Sequence, residues 1–173
     1  MSKKAVLFDR DGVINKTFYR NNISYPPKMI NEVSLFTGVI ECIKKIKQSG
    51  FMTFIITNQP DVERGISLQK DVEKINDYIL SMIDIDKLYV CYSGDNNHPE
   101  RKPNPGMILK AKKEFDLDLE KSFVIGDRIN DIIAGKNSGC KTILIATSHN
   151  NNKLPDYTVE NINQASEIIL KSN

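Results

Sequence analysis

The sequence has no tryptophan, only three cysteines, almost no excess of charge and no long apolar run. Each scarcity excludes something. Cys42, Cys91 and Cys140 are odd in number and widely spaced, so no disulfide framework is expected and the thiols read as reduced. Lys and Arg total 24 against 22 Asp and Glu, and the resulting net charge of +2 argues against a nucleic-acid-binding surface. No apolar stretch approaches the ~20 residues of a membrane span, so a membrane partner is not expected. Lys3 and Lys4 precede the apolar run Ala5 to Phe8, which ends on Asp9. A signal peptide needs an apolar core of ~7–15 residues. The expectation is a cytoplasmic protein. What is present is ordinary for a globular chain: 173 residues, 40% hydrophobic and 27% charged. That suffices for one sizeable core, and the reading is a single domain over residues 1–173.

Five β-rich runs punctuate the chain: Ala5 to Phe8, Phe51 to Thr57, Leu88 to Tyr92, Ser122 to Ile125 and Thr142 to Ala146. Continuous apolar runs of this length suit a sheet covered on both faces. Helical patterns lie between them. Thr37 to Ser49 repeats Val39, Ile40, Ile43 and Ile46, with Gly50 as a stop. Ser67 stands where it could cap a helix carrying Leu68, Val72, Ile75, Ile79 and Met82. Asn104-Pro105 reads as a cap followed by proline in the first helical position, opening a helix to Phe115. Ile129 to Asn137 and Ile162 to Leu170 are the last two. Residues 16–36 fit neither period, and Pro26-Pro27 breaks regular structure there. Asn150-Asn151-Asn152 is a polar loop, and His149 reads as a loop histidine. The alternation predicts an α/β fold, a doubly wound parallel sheet with right-handed crossovers.

In such a sheet the ligand sits beyond the carboxyl ends of the strands. Polar residues collect there: Asp9-Arg10-Asp11-Gly12 after the first run, Thr57-Asn58-Gln59 after the second, Arg101-Lys102-Pro103 beyond the third, and Gly126-Asp127 with Asp131 after the fourth. Converging carboxylates repel one another unless a cation joins them, and hard oxygen donors select Mg²⁺. A lysine and a threonine hydroxyl on the same rim suit a phosphoryl group. Taken singly, each motif has a plain structural reading: a turn, a strand end, a solvated lysine, a tight βα turn capped by Asp127. Their joint order at the ends of the runs favours metal-assisted phosphoryl transfer.

The set resembles the four motifs of the haloacid dehalogenase-like phosphatases over residues 5–147. Asp9 to Asn15 resembles the first motif, Thr57-Asn58-Gln59 the second, Lys102 within Arg101 to Met107 the third, and Gly126 to Asp131 the fourth. Within the family, the branch of heptose-bisphosphate and histidinol-phosphate phosphatases is most similar. The resemblance implies a Rossmann-like fold and an aspartyl-phosphate mechanism. Asp9 would be the nucleophile, and Asp11 the acid that protonates the leaving alcohol and then the base that activates water. Mg²⁺ would be held by Asp9, the backbone carbonyl of Asp11, and Asp127. Asp131 would support the metal through water or orient Lys102. Thr57, the amide of Asn58, and Lys102 would bind the phosphoryl oxygens. Gln59 belongs to the same substrate-binding run. The substrate is expected to be a small phosphorylated sugar.

Neither the stretch from Asp11 to Thr57 nor that from Thr57 to Lys102 leaves room for a large cap domain, so an open site is expected. Tyr19, Arg20 and Tyr25 are candidate substrate contacts in the first loop. Arg64, Arg101 and Arg128 near the motifs suggest a second anionic group on the substrate. The branch often carries a structural zinc loop before its Arg-Lys-Pro, but here the matching positions are Cys91, Ser93, His98 and Glu100. One thiolate and one imidazole do not close a tetrahedral site, so no structural zinc is expected. Cys42 and Cys140 read as core residues. The protein is expected to be a monomer. A receiver-type signalling domain is the rival from another class. It would place its phosphorylated aspartate after the third strand, where this chain has Cys91-Tyr92-Ser93.

Overall fold

The computed structural model describes residues 2–21, 23–146 and 154–172. His149 and the loop Asn150-Asn151-Asn152 lie outside them. The first apolar run forms β1 (Ala5–Phe8), followed by β2 (Phe18–Arg20), β3 (Ile23–Tyr25), a 3-10 turn at Ile30–Glu32 and α1 (Val39–Gln48). Then come β4 (Met52–Asn58), α2 (Gln69–Met82), β5 (Lys87–Cys91), α3 (Gly106–Phe115) and β6 (Phe123–Gly126). α4 (Ile129–Ser138), β7 (Lys141–Ile145), β8 (Tyr157–Val159) and α5 (Ile162–Lys171) complete the order. Six strands form one parallel sheet, ordered β5-β4-β1-β6-β7-β8, and β2 pairs with β3 alone.

β1 explains why the sheet is wound on both faces. Its side chains alternate between two cores. Val6 and Phe8 join residues of α1, α2 and α5, whereas Ala5 and Leu7 join residues of α3 and α4. All four are fully buried. A strand buried on both faces has no polar side, so its sequence runs apolar without alternation. No helix among the described residues is long and apolar enough to cross a membrane.

Four expectations are corrected. Residues 16–36 are not irregular throughout but contain the hairpin β2–β3, in which Tyr19 opposes Ser24. Its side chains are mostly exposed, so no burial pattern marks it in the sequence. A sixth strand, β8, follows the fifth predicted one. It pairs with β7, and Asp156 just before it accepts at Oδ2 from Thr142 N at 2.7 Å and Thr142 Oγ1 at 2.9 Å. Ser67 does not cap α2: Leu68 holds that position, with no side-chain cap. At α3 the cap position is Pro105 and the helix begins at Gly106. The Asn104 amide donates to the carbonyls of Asn96 and His98 instead. Gly106 N donates to Pro99 O, and a Cβ at Gly106 would stand 2.3 Å from that oxygen. This close approach places the loop carrying residues 99–105 against the start of α3.

Candidate active site

The chain leaves β1 to build β4 and β5 on one side, then returns to build β6 on the other. β1 is therefore where the winding reverses, and the carboxyl ends of β1 and β6 border a crevice. Asp9 follows β1, its N–H donating to Ile125 O of β6 at 2.9 Å. Asp127 follows β6, and Asp131 lies in the first turn of α4. Adjacent strands lie roughly 5 Å apart, so the sheet itself brings these acids together. One carboxylate oxygen from each of Asp9, Asp127 and Asp131 lies within 4.8 Å of the others, and all three residues are buried.

Two glycines make that convergence possible. Gly12 has φ +100°, and a Cβ there would lie 2.2 Å from Asp127 Oδ2. At Gly126 a Cβ would lie 2.1 Å from the Asp131 Cβ. The Asp131 Oδ2 accepts from Arg128 N at 3.1 Å, and Arg128 is the residue preceding α4. Asp127 is therefore not the cap of that helix.

Lys102, only 3% exposed, reaches into this group from the loop after β5. Its Nζ lies 2.7 Å from Asp9 Oδ1 and 2.7 Å from Asp131 Oδ1. It also donates to Ile56 O at 2.8 Å. Burial pulls the lysine down, but Asp131 and Asp9 outweigh it, and the net shift is upward. Burial pushes Asp9 up to about 8, against the pull of Lys102. Burial and Asp131 push Asp127 up to about 6. One ammonium cannot balance three carboxylates. A hard divalent cation fits this donor set, which is all oxygen and already gathered to one point.

The Asp11 carboxylate turns elsewhere. It accepts from Arg10 Nη2 at 2.8 Å, Asn15 Nδ2 at 2.9 Å and Gln59 Nε2 at 2.7 Å. Its side chain is not part of the three-carboxylate group, which leaves its backbone carbonyl for the metal role that the resemblance implies. Gln59 Nε2 donates to Thr57 Oγ1 as well, at 2.9 Å, so its amide links two site residues. The Asn58 side chain fastens the lysine loop: Nδ2 donates to Lys102 O at 2.9 Å and Oδ1 accepts from Lys102 N at 3.1 Å.

A cavity of about 280 Å³ opens over these groups. Asp9, Asp11, Thr57, Asn58, Gln59, Lys102 and Asp131 line it, as do Arg64, Arg101 and Arg128. The hairpin contributes Ile23, Ser24, Tyr25 and Pro26. Tyr19 and Arg20, expected at the substrate, lie on β2 and are not among the lining residues. β3 is the strand of the pair that forms the wall. Arg101 is braced within its loop, donating from Nη1 to Ser93 O at 2.8 Å and from Nε to Asn96 Oδ1 at 3.2 Å. Arg64 is half exposed beside Asp61 at 3.5 Å.

The positions of the branch's zinc loop are joined differently. Cys91 Sγ and His98 Nδ1 lie 3.6 Å apart, and His98 Nδ1 accepts from Glu100 N. Ser93 Oγ donates to Glu63, and Glu100 pairs with Lys110 at 2.9 Å. Cys42 and Cys140 are buried, as expected of core residues. Sequence reasoning missed Arg10, Asn15 and Asn76, all buried. Asn76 carried a signal, a polar residue on the apolar stripe Val72, Ile75 and Ile79 of α2.

Comparisons with known proteins place the chain in a family. The family model described as haloacid dehalogenase-like hydrolase matches residues 7–145. The D-glycero-D-manno-heptose-1,7-bisphosphate 7-phosphatase of Chlorobaculum tepidum is 34% identical, over 95% of this chain and 92% of its own. A D-glycero-alpha-D-manno-heptose-1,7-bisphosphate 7-phosphatase of Campylobacter jejuni is 37% identical, over 84% of this chain and 83% of its own. Among solved structures, the D,D-heptose 1,7-bisphosphate phosphatase of B. bronchiseptica, complexed with magnesium and phosphate, superposes with a TM-score of 0.84. It is 25% identical and covers 98% of this chain and 99% of its own.

Proposed function

The chain belongs to the haloacid dehalogenase-like hydrolases, and from that premise we propose that it removes the 7-phosphate of D-glycero-D-manno-heptose 1,7-bisphosphate. The observation that carries the chemistry is the separation of two neighbouring aspartates. Asp9 lies in the buried carboxylate group on Lys102, whereas Asp11 is held apart from it by three donor side chains. A nucleophile and a proton carrier need such different surroundings.

Asp9 attacks phosphorus, and the bond from phosphorus to the sugar oxygen breaks as Asp11 gives that oxygen its proton. Water then attacks phosphorus as Asp11 takes its proton, the bond from Asp9 to phosphorus breaks, and phosphate leaves with the Asp9 carboxylate restored. Thr57 and the Asn58 amide bind phosphoryl oxygens, and Lys102 neutralises their charge. Asp9, Asp127 and the Asp11 carbonyl would hold Mg²⁺, with Asp131 supporting it. When bound, that ion offsets the repulsion between an anionic nucleophile and an anionic phosphate. The family resemblance, the carboxylate group and the magnesium in the similar phosphatase support this choice of metal. The single domain spans residues 1–173.

Arg64, Arg101 and Arg128 on the cavity wall supply guanidinium groups for a phosphate that does not react. Binding energy there orients the reacting end. Phosphate release with Mg²⁺, measured across sugar bisphosphates, the matching monophosphates and histidinol phosphate, tests the assignment. Bisphosphates should exceed monophosphates in kcat/KM, and Arg101→Ala should narrow the gap. Equal kcat/KM for both classes would refute the bisphosphate assignment and favour histidinol phosphate.

A further inference from the structure

Arg10 takes part in no step of the mechanism above beyond holding Asp11, yet it is the largest of the fully buried side chains among the described residues, 1% exposed. Its guanidinium faces two groups. Nε and Nη2 reach Asp11 Oδ2 at 3.2 and 2.8 Å, and Nη2 also reaches Asp11 Oδ1 at 3.1 Å. Nη1 donates to Asn76 Oδ1 of α2 at 2.6 Å. A buried charge rarely adds stability over an apolar side chain of the same size, even when a partly buried partner such as Asp11 faces it, so folding alone does not account for Arg10. What a planar guanidinium supplies is orientation, because its fork fixes the plane of the carboxylate it binds. Without it, Asp11 would keep only the neutral amides of Asn15 and Gln59. Asn76, on the buried stripe of α2, fixes the guanidinium in turn.

We propose that Arg10, braced by Asn76, is a positioning residue that aims the Asp11 carboxyl at the leaving oxygen of the substrate. This rests on the aspartyl-phosphate reading, in which Asp11 must deliver a proton along one direction. Proton transfer is sensitive to such alignment.

The test uses two leaving groups. A sugar alkoxide needs a proton to depart, whereas p-nitrophenolate departs with little help. Wild-type protein, Arg10→Met and Asn76→Ala are assayed with Mg²⁺ on p-nitrophenyl phosphate and on the best sugar phosphate of the panel. The readout is the ratio of the two kcat/KM values, which reports the phosphoryl-transfer step and cancels any inactive fraction of the sample. Arg10→Met should lower the sugar-to-nitrophenyl ratio ~30-fold, within the range general acid catalysis supplies, and Asn76→Ala ~5-fold. If Arg10→Met does not fold, the Asn76→Ala ratio decides. Ratios within about twofold of wild type would overturn the proposal, whether both rates fall together or neither changes. Wild-type protein inactive on both esters would instead overturn the phosphatase reading, and this one with it.

Discussion

Asp9 and Asp11 are alike in sequence and opposed in surroundings. Asp9 sits among carboxylates with Lys102 as its cation, while Asp11 sits among donors. Asp9→Asn tests the difference. An amide cannot take up the phosphoryl group as an acyl phosphate, so turnover should fall at least ~10³-fold. The fold should survive, because the substitution is isosteric and Lys102 keeps Asp131 at 2.7 Å. Measured kcat near wild type in a folded Asp9→Asn protein would sink the mechanism. At this scale the sequence was most readable where a residue type is tied to a strand end: Asp9, Thr57 and Asp127 emerged that way, and Lys102 on the loop beyond β5. Arg10 did not, because nothing local says whether an arginine between two aspartates faces water or the interior.

Among the elements, a small edge strand paired with β7 gains a side-chain anchor. β8 has three residues, two of them exposed, so its own burial cannot hold it. Asp156 joins it to the start of β7 through Thr142 and also pairs with Lys136 of α4. Asp156→Ala should leave Thr142 N without its acceptor and cost ~1–3 kcal/mol, read from the urea midpoint, with kcat unchanged. An unchanged midpoint would show that β8 is held by other contacts. Burial alone would raise the Asp156 pKa, but Lys136 and Thr142 prevail and lower it. Its contribution is therefore present above the ordinary carboxylate range and is lost as pH falls below it.

For the whole molecule, the gathered carboxylates make folding and metal binding one problem. Burial raises Asp9 to about 8 and Asp127 to about 6, so the metal-free fold holds protons that the unfolded chain releases near pH 4. The stability from those protonated forms is complete at low pH and lost as pH rises through these values. On the proposed function, Mg²⁺ would need the ionised forms and would restore what is lost. Adding Mg²⁺ should therefore raise Tm by roughly 5–10 °C at about pH 8.5 and by less at about pH 5.5. Differential scanning fluorimetry across that range checks it, and a gain that is larger at the acid end would contradict it.

By itself the sequence determined the strand-length apolar runs, the order of the helices between them, and the polar residues at their ends. These follow from short-range periodicity and from side chains that suit a doubly buried strand. The doubly wound parallel sheet also followed in outline, because crossovers have one hand, but the reversal of winding at β1 did not. Tertiary structure alone decided the rest. The exposed hairpin and β8 lack a buried face of their own, so no pattern announces them. The choice of Tyr25 over Tyr19 for the cavity wall depends on which strand of the hairpin borders the cavity. Arg10 meets Asn76 only once α2 has packed beside β1. Asp131 meets Lys102 only because Gly126 lets α4 begin against the strand end. Contacts between residues far apart in the chain depend on how elements pack, and local sequence does not contain that distance.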